Sequence, residues 1–438
     1  MNKKIFYLIY SFIIILVQSC NTTEPGKLKL EIVAEDVSCT EVWIEVKGQT
    51  GSEVILKQDD NEVKEFTLTS SPQTVYNDSL LPNTNYTYQV VGNNELSNRI
   101  TVTTLDSTSH NFSWQTFVFG DADAGSSILN DVTVINDSLI YAAGEIYKND
   151  SLGQPDPQPY GIVQWDNITW LLKKLFYMDK DYQGNNLTII LSNIRSILST
   201  SNNEFWFAAG SVFYWNGITS LADFSYRTLT PSGLQPGINK LWQNSSFELY
   251  GVGNSGSIIH YQYGKWNKIE SGTDLPFQDI WGDKGEILAI ASDKFGSGGQ
   301  YLISLFGNTA EQIPTNIPTA MSFSSIWFKA NRKYFLAGNG VYTKRYLSDP
   351  IWELDPIAKP LETYFYSIRG SGLNNIVTVG EGSYIAHFNG ISWKVYNELR
   401  NSATRLTSVA VTEKMIIAVG YKYLNGIENY GVIYIGRR

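Results

Sequence analysis

Cysteine, histidine and methionine are nearly missing from this chain of 438 residues, which holds two, three and four of them. The three histidines, His110, His260 and His387, and a single cysteine outside the N-terminal segment cannot assemble a Cys/His zinc cluster. No H-E-x-x-H sequence occurs either, so neither a metal site nor a cofactor is expected. The formal charge is −9 and no tract is densely basic, which argues against a nucleic-acid partner, because phosphate neutralisation needs clustered Lys and Arg. Long apolar runs are scarce too: Ile5 to Val17 is too short for a comfortable bilayer span.

What is present in excess is aromatic: 27 Tyr, 20 Phe and 12 Trp beside 36 Gly. Aromatic enrichment with many glycines favours strands joined by tight turns, so the expected class is all-β. The length suggests two or three domains.

Lys3 and Lys4 precede the apolar run in the manner of a targeting segment. The run ends in Leu16, Val17, Gln18, Ser19 and Cys20, which resembles the lipobox of bacterial lipoproteins. The resemblance implies a signal peptide over 1–19, lipidation of Cys20 and a polar tether over 20–27. Each buried CH₂ of such a lipid contributes ~0.8 kcal/mol to anchoring. Asn21 after the cysteine leans toward outer-membrane sorting, so the expected location is the cell envelope. With Cys20 acylated, Cys39 has no disulfide partner and reads as a small buried residue.

Residues 28–105 alternate apolar and polar residues in short runs such as "EVWIEV", "EVILKQ" and "YTYQVV", the period of half-buried strands. The stretch "LLPNTNYTYQVV" resembles the fibronectin type III signature around its tyrosine corner: Leu81, Pro82, Thr84 and Tyr86, then Tyr88 and Val90. Trp43 matches that family's early-strand tryptophan, and Thr103 and Thr104 its last strand. The resemblance implies a β-sandwich over 28–105, followed by a linker over 106–111.

Beyond the linker the chain repeats. An apolar anchor recurs at Val132, Ile197, Leu241, Ile280, Ile326, Ile368 and Val409, mostly at the ~40–50-residue period of four-stranded propeller blades. The one long interval, between Val132 and Ile197, contains the insertion "KNDSLGQPDPQP" and a polar stretch over 179–186. A glycine follows each anchor by 11 to 13 residues, with Ser292 in its place in the fourth unit, and is expected to allow a positive-φ turn. Asp166-Asn167, Asn216-Gly217, Tyr263-Gly264 and Asn389-Gly390 are expected as two-residue hairpin turns. Trp170, Trp266, Trp352 and Trp393 then open fourth strands. The seventh unit stops after three strands, and "FSWQTFVFG", 112–120, is placed to supply the fourth. The expectation is a seven-bladed β-propeller over 112–438, closed by its own N-terminal strand.

These repeats resemble exported bacterial β-propeller lipoproteins with sialidase-like or photosystem-assembly-like repeats. The Asp-box of sialidases has no good match here, so the resemblance carries no catalytic residues, and none are assigned. His260 and His387 share one repeat position and read as packed strand residues with hydrogen-bonded rings. Asp121, Asp123 and Gly125 begin like a calcium loop without its remaining ligands, and read as a solvated turn. One repeat position varies in a way that bears on function: the residue after the anchor is Trp242, Trp281, Trp327 and Arg369 in four successive units. These four either line a ligand-binding mouth or fill the packing between blades.

The expected function is a membrane-anchored, non-catalytic binding protein that presents a propeller face to a glycan or a protein. The alternatives are a glycan-processing enzyme, glycosidase or glycosyltransferase-like, with carboxylates on blade-top loops, and an outer-membrane assembly scaffold.

Overall fold

The computed structural model describes residues 29–438 except 93–94, 202, 228, 231–232, 235–236, 246–247, 294–298, 315–321, 356–362 and 425–427. Cys20 and the residues before it lie outside the described residues. Among the described residues the regular structure is β, with one 3₁₀ turn at Asn397–Leu399. No described helix is long and apolar enough to cross a membrane. The chain divides into two compact units, the smaller holding most of the residues up to Thr104 and the larger holding Leu105–Arg438.

In the smaller unit Glu31–Val37, Val42–Lys47 and Gln73–Asn77 make a three-stranded antiparallel sheet. A five-stranded sheet is built on Glu53–Gln58, Asn61–Thr67 and Asn85–Gly92, with the short strands Glu95–Leu96 and Ile100–Thr103. The alternation seen in the sequence sorts one face of each strand inward: Val42, Ile44 and Val46 share a core with Val54, Leu56, Tyr86, Tyr88 and Val90. Trp43 and Tyr88 are fully buried, and Asn77 Nδ2 donates to the Tyr88 hydroxyl at 3.1 Å. Leu81, matched to the signature, is exposed, and the neighbouring Leu80 is buried in its place. Cys39 is free and buried, and desolvation raises its thiol to about 11.

The larger unit contains seven four-stranded antiparallel meanders, numbered here in chain order by their first strands: Ile128–Asn136, Ser196–Ser201, Ile238–Ser245, Phe277–Asp283, Phe323–Lys329, Phe365–Gly372 and Thr404–Val411. In the last sheet, residues Gly431 to Arg437 of the strand Glu428–Arg437 pair with the whole of Ser113–Phe119, so the fourth strand comes from the start of the unit. The long interval after Val132 holds an extra hairpin, Leu175–Lys180 with Asn186–Leu191, whose tip is the polar stretch. Cores form between successive sheets: Leu288, Ile290 and Leu302 of the fourth pack with Phe323, Ile326 and Leu336 of the fifth.

Two local expectations are corrected. Of the glycines that follow the anchors, only Gly210 has a positive φ, at +78°. The others sit in extended strand, where close approach excludes a side chain: a Cβ at Gly253 would overlap the carbonyl oxygen of Gly237, and one at Gly420 that of Arg405. The reason is a β-bulge. In six of the seven first strands the register slips by one residue here, opposite the glycine in five, as between Ile238 and Lys240 or Leu406 and Ser408, and opposite Ala291, the neighbour of Ser292, in the fourth. The second correction concerns hairpins. Only Tyr263-Gly264 is a two-residue turn with both φ positive, +51° and +77°. Asp166, Asn216 and Asn389 instead open longer loops, accepting at their side-chain oxygens from backbone N–H groups two and three residues on.

Candidate functional site

The bulges decide where side chains point. In a regular strand the two residues before each anchor would face opposite ways, but the extra residue aims both toward the space the seven first strands enclose. Asn130, Asn239, Gln278, Ser324, Tyr366 and Thr407, the bulged residues of six sheets, join Arg195, which immediately precedes the first strand of the second sheet, around a cavity of about 390 Å³. Strands from six sheets, with Arg195 at the entry to the remaining one, surround one cavity and so share an axis. In a meander the first strand starts at the same end as the turn between strands two and three, so 147–159 lies at this mouth, as does the connection 174–195 between the first two sheets.

The residues next in line are Asp131, Ser196, Lys240, Asp279, Ser325, Ser367 and Ser408, and all but Ser367 bond to others of the set, in one group around Asp131 and one around Asp279. Asp131 accepts from Ser196 Oγ at 2.9 Å, Ser408 Oγ at 2.7 Å and Lys240 Nζ at 3.0 Å. Asp279 accepts both ends of the Arg369 guanidinium, at 2.8 and 2.7 Å, and Ser325 Oγ at 2.5 Å. Burial pushes the Asp279 carboxyl up, but the Arg369 charge and hydrogen bonds outweigh it and hold it below the usual carboxylate range. Arg369 Nη1 also donates to the carbonyls of Ile326 and Ile368. These pairs tie together first strands that are far apart in sequence.

Beyond that polar layer a second cavity, of about 250 Å³, opens where the first strands end. Trp242, Trp281 and Arg369 line it with Val134, Leu198 and Thr412. The four residues singled out after the anchors are therefore not equivalent. Trp327 is fully buried against Gly370 of the next sheet, whose Cβ would sit 2.8 Å from its ring. Trp242 covers Gly282 in the same way but stays half-buried. Trp281 donates from Nε1 to Phe328 O at 3.2 Å, and the Arg369 guanidinium lies 5.1 Å from its ring centre. Tryptophan in one sheet thus fills the space left by a glycine in the next.

The repeat histidines are enclosed. His260 stacks on Tyr250 at 4.2 Å, with Asn308 Oδ1 and Glu248 Oε1 at 2.8 and 3.1 Å from its nitrogens. His387 meets Asn375 Oδ1 and His110 Nδ1, each at 2.9 Å. Burial, then the nearby His110, Arg438 and Lys394, lower its pKa to about 3, so the ring is neutral. Asp121 accepts from Lys148 Nζ and Asn149 N, and Asp123 from Asn149 Nδ2. Among the described residues no cluster of His, Cys, Asp and Glu has metal-binding geometry.

The sequence reading passed over the ring that lines the wide cavity. Its signal is two residues, most of them polar, in front of every anchor, as in Asn130-Asp131, Gln278-Asp279 and Ser324-Ser325.

No family model matches the chain, and no curated protein sequence matches it. Among solved structures, one titled "YCF48 bound to D1 peptide" is 13% identical, aligns over 76% of this chain and 100% of its own, and has a TM-score of 0.52. The larger unit is a β-propeller. YCF48 from Cyanidioschyzon merolae aligns over 74% of this chain and 98% of its own at 12% identity and a TM-score of 0.48. The computationally designed Ika8 protein aligns over 72% and 98% at 12% identity, with a TM-score of 0.43.

Proposed function

We propose that this chain is a non-catalytic recognition protein whose seven-bladed propeller binds an extended segment of another protein in the wide axial cavity. Lipid on Cys20 tethers it to the cell envelope, and the fibronectin type III-like unit acts as a spacer. The observation that carries the reading is the ring of bulged residues with Arg195 beside them: Asn130, Asn239, Gln278, Ser324, Tyr366, Thr407 and Arg195 bring amides, hydroxyls and a guanidinium to one mouth. Such a set suits the alternating donors and acceptors of a peptide backbone. The structure titled "YCF48 bound to D1 peptide" is a propeller in complex with a peptide, which supports this class of ligand for the fold.

Catalysis by paired carboxylates finds less support. Asp131 and Asp279 both reach the axis, but each is already engaged by a cation and by serine hydroxyls, and the Arg369 charge holds the Asp279 carboxyl in its ionised form, unsuited to donating a proton. A second reading, a glycan held in the narrow cavity, draws support from the half-buried rings of Trp242 and Trp281 beside Arg369.

A photo-crosslinking amino acid at Thr407, in the wide mouth, is expected to trap a protein in cell envelopes, whereas one at Thr412, in the narrow mouth, does not. Capture at Thr412 alone would transfer the function to the narrow cavity.

A further inference from the structure

We infer that the wide cavity selects a peptide segment bearing a carboxylate side chain, received by Arg195. The inference rests on the protein-binding reading above and adds the chemistry of the ligand. The chain carries a formal charge of −9, yet this mouth runs against it: Arg195, Lys240, Arg369 and Arg405 line the cavity, and Asp279 is the one acid among the lining residues. Three of the cations are matched internally. Arg369 is bound by Asp279, Lys240 by Asp131, and Arg405 by Glu381 at 2.6 Å.

Arg195 differs. It is exposed, and among the described residues no carboxylate pairs with it. Among the described residues its one side-chain hydrogen bond runs from Nη1 to Asn239 Oδ1 at 2.6 Å, and Asn239 Nδ2 in turn donates to Asn254 Oδ1 at 2.7 Å. The guanidinium is thus oriented while Nη2 and Nε keep their donors, the fork that a carboxylate accepts.

The surroundings distinguish a peptide from a free anion. Asn130 Nδ2 and Gln278 Nε2 are committed to the carbonyls of Ile194 and Ser292, at 3.0 and 2.8 Å. Their amide oxygens, Asn130 Oδ1 and Gln278 Oε1, receive no hydrogen bond among the described residues. Two carbonyl oxygens lining a mouth call for donors at two places, which the successive N–H groups of an extended backbone supply and a compact phosphate, mostly acceptor oxygens, serves poorly. An acidic peptide uses both the cation and the acceptors.

The test presents the full chain with an array of random decapeptides, each Asp- or Glu-containing sequence beside its Asn or Gln counterpart, with inorganic phosphate as competitor at constant ionic strength. Acidic members are expected to bind about tenfold more tightly than their amide counterparts. Arg195→Ala is expected to remove that preference without moving the melting temperature, and Arg195→Lys to restore part of it. Equal binding of acidic and amide peptides overturns the inference and leaves the protein-binding reading standing. Binding to no peptide overturns both. Full displacement by phosphate shows a small-anion site and overturns the peptide ligand.

Discussion

Trp327 and Trp242 occupy the same place in the repeat, and what separates them is how completely the next sheet closes over the ring. Trp327 is 1% exposed, with Gly370 beneath it and Phe335 beside it at 5.7 Å, so truncation leaves a void the backbone cannot fill. Trp327→Ala is expected to cost ~3–5 kcal/mol in a urea unfolding measurement. Trp242→Ala, with its ring half-buried at the narrow mouth, is expected to cost less than half of that. Equal losses would mean that the two tryptophans serve the same packing role. The matching glycines belong to the same argument: Gly282 and Gly370 are small because the neighbouring sheet needs the volume.

At the scale of elements, the strand Ser113–Phe119 is the most consequential, because it comes from one end of the propeller and completes the sheet at the other. Its partner Glu428–Arg437 contributes Val432, Ile433, Tyr434 and Ile435 to the core, and Trp114 covers Gly436. Removing residues 112–120 would leave that strand with a row of unpaired backbone groups beside apolar side chains. Aggregation, or a large fall in melting temperature by calorimetry, is expected. A shortened chain that melts with the parent would show that the pairing adds no stability. The bulges in the first strands matter in a different way. One additional residue leaves the anchor in the core yet aims two consecutive residues at the axis, so a period-two reading of polar and apolar positions misassigns them. That is why the ring of Asn130, Asn239 and Gln278 escaped the alternation pattern while the anchors themselves did not.

For the whole molecule, the outstanding question is attachment. If Cys20 carries lipid, Cys20→Ser is expected to abolish fatty-acid labelling and release the chain from membranes, and unchanged labelling would end the lipoprotein reading. The sequence by itself determined what depends on neighbours along the chain: alternation marks strands, the recurring anchor marks the repeat, and the unmatched last unit points to the strand at 112–120. It also showed that Trp242, Trp281, Trp327 and Arg369 share one repeat position. It did not show that Arg369 would be consumed by Asp279, 90 residues away, or that Lys240 would meet Asp131. Nor did it show that Trp327 would be sealed while Trp242 stayed half open. Those outcomes depend on which first strands face one another around the axis and on how tightly successive sheets close. Only the tertiary structure sets those distances, because ion pairs and burial act between residues that the chain itself keeps far apart.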